Sequence, residues 1–325
     1  MNKNKISFIS ELCQNHNGNF DVVKKMTYEC AENGSKIIKL QNIFAKDLSY
    51  RPKFENGFKL GSKVLIMKRP FLAEQKRLKK LEISEKNLEK FINLCKNLKV
   101  IPSITCFNRA SINKLYNLGF EHIKIASYDC SSYQLIREVS KKFKNIVIST
   151  GATYDDEIVH AANILRKNKV NFNMLHCVTI YPTPFHELNL SRIKYINKIS
   201  RRNAGYSDHS MGQGKYRNLA CKLAIMNGAT ILERHININN PSETRDGRVS
   251  IAPKDIREIL DFSYLSFNDM KDCIKKKYNI NFTKYNGKIN RELSHTELLN
   301  RDYYKGRFTT HKNNRNIDNW DEIKL

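Results

Sequence analysis

Eight short apolar, β-branched runs, helix-periodic stretches between them, and polar side chains gathered just past the runs' C-terminal ends together predict an α/β chain folded as a (β/α)8, or TIM, barrel. The runs are residues 6–12, 36–41, 100–105, 122–127, 145–150, 172–177, 203–207 and 230–235. Helical spacing separates them, as in Leu88, Phe91, Ile92 and Cys95, or Ile158, Ala161, Ala162 and Leu165. A barrel of this class needs about 250 residues. The chain has 325, so residues 1–261 are expected to form the barrel and residues 262–325, where the pattern turns to Asn, Lys and Tyr with weak periodicity, a C-terminal appendage of unclear fold.

Taken in order, nearly every run ends in chemistry. The first ends on Glu11 and the second carries Lys39 and Gln41. Lys124 and Ser127 belong to the fourth, with Asp129 just beyond, and Ser149-Thr150-Gly151 closes the fifth. His176, Thr179 and Tyr181-Pro182-Thr183-Pro184 follow the sixth. Ser207-Asp208-His209-Ser210 and Glu233-Arg234-His235 end the last two. Barrels of this class place catalytic groups at the carboxyl ends of their strands, so this asymmetry marks one face as functional.

The last two strings point to a metal. Residues two apart on a strand share a face, so Ser207 with His209, and Glu233 with His235, each look into one interior, and two imidazoles converge from neighbouring strands. Neutral imidazole suits zinc, manganese, iron or cobalt, and two histidines leave positions free for substrate oxygens. A hydrogen-bonded structural role is the alternative for each histidine alone; a carboxylate beside a histidine at two successive strand ends favours the metal. Lys39, inside Ile37-Ile38-Lys39-Leu40, is not readily solvated and reads as functional. His176 lies in an apolar strand and reads equally well as a satisfied core residue.

Fifty-seven basic against 32 acidic side chains give a net charge of +25. The lysines are spread along the whole chain beside Asn and Ile, and no zinc-finger, RNA-recognition or helix-turn-helix pattern accompanies them, so no nucleic-acid partner is expected. The charge suits steering of small anionic substrates. Residues 1–5 are polar and basic, and the apolar run at 6–12 is too short for a secretion signal or a membrane span, so no membrane association and a cytoplasmic location are expected. Eight cysteines without a CxxC pair, among them Cys30, Cys95 and Cys221, read as reduced core residues. The long, basic stretch 44–73 after the second strand is expected to form a lid or substrate wall.

From Ile6 to Leu260 the chain resembles the sialic acid synthases, a group that includes N-acetylneuraminate, pseudaminic and legionaminic acid synthases. The strings that carry the resemblance are Glu11-Leu12-Cys13-Gln14-Asn15-His16-Asn17-Gly18, Ile38-Lys39-Leu40-Gln41, Lys124-Ile125-Ala126-Ser127, Ser149-Thr150-Gly151, His176-Cys177, Tyr181-Pro182-Thr183-Pro184, Ser207-Asp208-His209 and Glu233-Arg234-His235. The resemblance implies condensation of phosphoenolpyruvate with the aldehyde of an N-acetylated hexosamine, with a divalent ion, manganese first and magnesium or cobalt as alternatives, held by His209 and His235. It implies catalytic roles for Glu11, Lys39, Asp129, Glu233 and Asp246. Substrate contacts are implied for Asn15, Gln41, Lys124, Ser127, Ser149, Thr179, Tyr181 and Ser207.

Asp129 stands where the N-acetylneuraminate synthases carry glutamate, and Thr179 where they carry asparagine; a deoxy or diacetamido hexose is therefore an acceptor candidate beside N-acetylmannosamine. Many members append an antifreeze-like domain that lends an arginine to a partner subunit's site. Its pattern of short turns is absent from residues 262–325, which leaves a homodimer as one expectation and Arg301 or Arg307 of the appendage as substitutes. Two other readings are a related 3-deoxy-sugar acid synthase, whose phosphorylated aldose would sit near Arg51, Lys53 and Lys63, and a catalytically silent carbohydrate-binding barrel.

Overall fold

The computed structural model describes residues 6–325; residues 1–5, the polar start, lie outside the described residues. Eight parallel strands close a barrel in which each strand pairs with its sequence neighbours: β1 (Ser7–Glu11), β2 (Ile37–Gln41), β3 (Ile101–Cys106), β4 (His122–Ile125), β5 (Asn145–Ser149), β6 (Asn171–His176), β7 (Ala204–Asp208) and β8 (Ile231–His235), the last returning to pair with β1. Each falls within a residue or two of an expected run. The fourth stops early, because a 3-10 turn at Ser127–Asp129 begins there.

Outward side chains such as Phe8, Ile38 and Ile104 pack against amphipathic helices, among them Glu85–Asn97 (buried Leu88, Phe91, Ile92, Cys95) and Asp155–Lys167 (buried Ile158, Ala161, Ala162, Leu165). Burying each leucine, isoleucine or phenylalanine among them is worth about 1.5–3 kcal/mol. Inward side chains form a separate apolar plug of Ile9, Ile37, Val147, Leu175 and Ile231. Ser103 and His122, hydrogen-bonded at 2.7 Å, and Gly205, where a Cβ would collide with Ile231 and Leu175, complete that layer.

The stretch after β2 covers the barrel with Leu48 and Phe54 buried beneath it. It contains a hairpin, Phe58–Leu60 with Lys63–Ile66, and leads into the helix Phe71–Lys79. Residues beyond the barrel do not stand apart from it. The helix Phe267–Tyr278 sinks Met270, Ile274 and Tyr278 into the core that the barrel helices share. The chain then crosses the barrel, and the helix His295–Tyr304, opened by a Ser294/Glu297 capping box, lies at the mouth. A strap follows it: Leu48 bridges Phe308, Thr309 N–H donates to Asp47 O at 2.9 Å, and Leu135 N–H donates to Asn319 O at 3.0 Å. Among the described residues no helix is long and apolar enough to cross a membrane.

Candidate active site

Two residues above the plug on every strand lies the floor of a cavity of about 520 Å³. Strand alternation places Glu11, Lys39, Thr105, Lys124, Ser149, Cys177, Ser207 and Glu233 there, one from each strand or its end, and all eight line the cavity. Two residues higher come Cys13, Gln41, Thr179, His209 and His235, also in the lining. The β5 counterpart at that height is Gly151, where a Cβ would strike Cys177 and Thr179.

The floor is an alternating charge network buried from water. Lys124 Nζ donates to both oxygens of Glu233 at 2.8 and 2.9 Å, and Ser207 Oγ donates to the same carboxylate at 3.0 Å. Lys39 is ion-paired with Glu11, donates to Thr105 Oγ1 at 3.1 Å and lies 3.9 Å from Glu233. Burial alone would raise the Glu233 carboxyl; Lys124 and Lys39 overcome it and hold the group well below its usual range. Burial pulls the Lys39 ammonium down, Glu233 opposes the fall and Lys124 adds to it.

Above the floor, His209 and His235 lie with ring centroids 5.3 Å apart. Burial pushes His209 down to about 4 and His235 well below its ordinary value, so both are neutral at pH 7, the form that ligates metals. His209 Nδ1–H donates to Val178 O at 3.2 Å, which fixes the tautomer and leaves Nε2 as a lone pair. Among the described residues, buried His235 Nδ1 has no hydrogen-bond partner. Cys13 Sγ donates to Asp246 at 2.9 Å, and ligand atoms of Cys13, His235 and Asp246 lie within 4.8 Å of one another. These groups fit a divalent ion. Two further buried hydroxyls in the lining, Ser149 Oγ and Thr179 Oγ1, also have no partner among the described residues and are donors open to a polar ligand.

Six arginines line the cavity: Arg69, Arg77, Arg245, Arg248, Arg301 and Arg307. Arg77 and Arg307 share Glu74, and Arg301 pairs with Glu157 and donates to Ala152 O at 2.7 Å. Arg69, Arg245 and Arg248 make no ion pair among the described residues. The helix at the mouth adds Asn300, whose amide donates to Thr179 O at 2.6 Å, and Tyr304, stacked on Tyr128 with centroids 5.4 Å apart.

Most expected residues therefore meet in one cavity: Glu11, Lys39, Gln41, Lys124, Ser127, Ser149, Thr179, Tyr181, Ser207, His209, Glu233, His235 and Asp246 all line it, with the Tyr181 ring 4.5 Å from that of His209. Two do not. Asn15 is fully buried, its amide donating to Ile236 O and Ser250 Oγ at 2.7 and 2.8 Å, so it fastens a loop. Asp129, held in its 3-10 turn, does not line the cavity; its Oδ1 accepts from Ser132 Oγ at 2.8 Å and Asn319 Nδ2 at 3.0 Å. His176 bonds Leu188 O at 2.8 Å as a core residue. Arg51 and Lys53 hold the carbonyls and the carboxylate of residues 302–305, which removes them from any phosphate cradle. Sequence reading missed Thr105, Cys177, Arg69, Arg77, Arg245 and Arg248; strand parity would have found the first two.

The family model described as NeuB family matches residues 26–272, most of the chain. The chain belongs to the NeuB family. Within it, the chain is similar to an N,N'-diacetyllegionaminic acid synthase of Campylobacter jejuni, 27% identical over 94% of this chain and 90% of that protein. It is similar as well to a pseudaminic acid synthase of Helicobacter pylori, 25% identical over 82% and 73%. An alignment over 94% of the chain runs past residue 261, so most of the C-terminal segment has a counterpart in that relative. Among solved structures, the N-acetylneuraminic acid synthetase of Leptospira borgpetersenii shares the fold with a TM-score of 0.67 at 23% identity, over 93% of this chain and 92% of that one.

Proposed function

We propose that the chain condenses phosphoenolpyruvate with the open-chain aldehyde of an N-acetylated hexosamine, taking up water and releasing phosphate and a nine-carbon 2-keto sugar acid. The observation that carries this reading is the floor of Glu11, Lys39, Lys124 and Glu233 beneath two neutral imidazoles. Membership of the NeuB family supports it.

Phosphoenolpyruvate brings a phosphate and a carboxylate, and Lys39, Lys124, Ser149 and the unpaired arginines supply cations and donors for both. Carbon 3 of the enol attacks the aldehyde carbon, and negative charge grows on the aldehyde oxygen. His209 and His235 would hold a divalent ion, which would supply Lewis-acid stabilisation of that charge. The former enol carbon turns positive, and Glu11 and Glu233 stabilise it while water adds; the proton that water loses passes to a cavity carboxylate, and phosphate leaves. Gln41, Thr179 and Tyr181 face the space left for the sugar. The relative named for N,N'-diacetyllegionaminic acid supports a diacetamido hexose as acceptor.

The test is phosphate release from phosphoenolpyruvate with a divalent ion and a panel of N-acetylated aldoses, phosphorylated ones included. Activity with one sugar names the acceptor. His209→Ala and His235→Ala are each expected to lose about a hundredfold or more, the scale of removing a principal electrostatic stabiliser. Release with no aldose in the panel, or unchanged turnover in both variants, contradicts the reading. A silent carbohydrate-binding barrel has no use for two buried lysines interleaved with two carboxylates.

A further inference from the structure

The two-histidine site leaves one neighbour unexplained. Cys13, just past β1, is buried, yet its sulfur lies in the cavity lining at the level of the imidazoles. Its Sγ donates to Asp246 at 2.9 Å and accepts from Gln41 Nε2 at 3.0 Å. Its own N–H donates to Glu11 Oε1 at 2.6 Å, which anchors the turn to the floor. Ligand atoms of Cys13, Asp246 and His235 lie within 4.8 Å of one another. Around an ion with metal–ligand bonds of about 2.0–2.3 Å, such atoms stand roughly 3.5 Å apart, so small side-chain rotations close the set. Independently, His235 Nδ1 is a buried ring nitrogen with no partner among the described residues. A histidine with an unpaired ring nitrogen beside a thiol–carboxylate pair supplies the nitrogen, sulfur and oxygen donors a divalent ion takes.

We propose that Cys13 is a protein ligand of the divalent ion, joining His235 and Asp246, and that its sulfur biases the site toward zinc, iron(II) or cobalt over manganese or magnesium. The inference rests on the metal reading of His209 and His235 and deepens it. On binding, the ion displaces the thiol proton to solvent, and the Asp246 oxygen that held it becomes free to ligate. Gln41 then donates to a coordinated sulfur, which orients it. Thiolate is the softest donor available to a protein, and manganese and magnesium prefer oxygen, so the selectivity follows from the donor set.

Cobalt(II) reports directly on sulfur. The full chain, freed of metal and titrated with cobalt, is expected to show an intense sulfur-to-metal charge-transfer band in the near ultraviolet. Cys13→Ser is expected to abolish the band while weaker histidine-bound cobalt absorption remains. Cys13→Gly serves as the second variant, because the backbone here has φ +48°, a conformation glycine adopts freely. Competition with zinc and manganese is expected to show the preference for zinc falling by about tenfold or more in both variants. Cobalt uptake by the parent chain without the band, or a band that survives in Cys13→Ser, overturns the proposal. Phosphate release measured on the same preparations separates the two ideas: turnover without the band refutes sulfur ligation alone, and the band without turnover on any aldose refutes the condensation alone.

Discussion

Asp129→Asn separates what this residue was expected to do from where it lies. Both hydrogen bonds to the carboxylate end on Oδ1, from Ser132 and Asn319, and an asparagine carbonyl accepts both. The substitution therefore removes a charge and little else. Burial raises this carboxyl from 3.8 to about 6, although Asn319, Ser132 and Lys305 all favour the charged form. Between those two values the folded chain keeps a proton that the unfolded chain has lost. Folded binds more protons than unfolded, so stability falls as pH rises through that window, and the loss is complete above about pH 6. A displacement of this size corresponds to roughly 3 kcal/mol.

Asp129→Asn escapes that loss. It is expected to be more stable than the parent by about 2–3 kcal/mol at pH 8, a rise in Tm of roughly 5 °C, with the gain shrinking as pH falls toward 5. Thermal or urea unfolding of both proteins across that range measures it. A gain that does not change with pH, or a loss at pH 8, refutes the argument. Because Asp129 lies outside the cavity lining, turnover is expected to change by no more than a few-fold; a hundredfold loss would place the group back among the reacting atoms.

Lys124→Met leaves the Glu233 carboxylate buried with only Ser207 and a lysine 3.9 Å away; it is expected to cost about 3–5 kcal/mol, with Lys124→Met/Glu233→Leu recovering much of that in the same unfolding assay. Arg234 and Asp208 form a fully buried pair at 2.8 Å, so Arg234→Met should destabilise on the same scale without touching a lining residue. Tyr304→Ala removes a ring stacked on Tyr128 over the cavity; the expected result is a rise in KM for the sugar of about five- to tenfold, with KM for phosphoenolpyruvate little changed. Equal effects on both substrates would deny the mouth helix its place beside the acceptor.

The barrel was legible because strands leave a short apolar signature and the helices between them a periodic one. The same alternation marked Ser207 with His209, and Glu233 with His235, as looking into one interior. Asn15 and Asp129 were misplaced for one reason: proximity to a strand end does not say which way a turn aims its side chain. Arg69 and Arg77 were invisible in a chain where basic residues are everywhere, and nearby Arg51 and Lys53 attracted notice instead. The mouth helix and strap carry few apolar residues, because they seal the barrel largely through backbone and ionic contacts such as those of Asn319, Arg51 and Arg301. Cys13 read as core because burial of a thiol looks the same whether or not a ligand is nearby.

The two-residue step from plug to floor makes the chemistry a check on assembly. Slipping β2 by one position would swing Lys39 out among the helices and Leu40 into the charged ring, stranding an ammonium in oil and leaving Glu11 without its counter-ion. A misthreaded barrel is thus penalised twice over, and the groups that react also act as proofreaders of strand alignment.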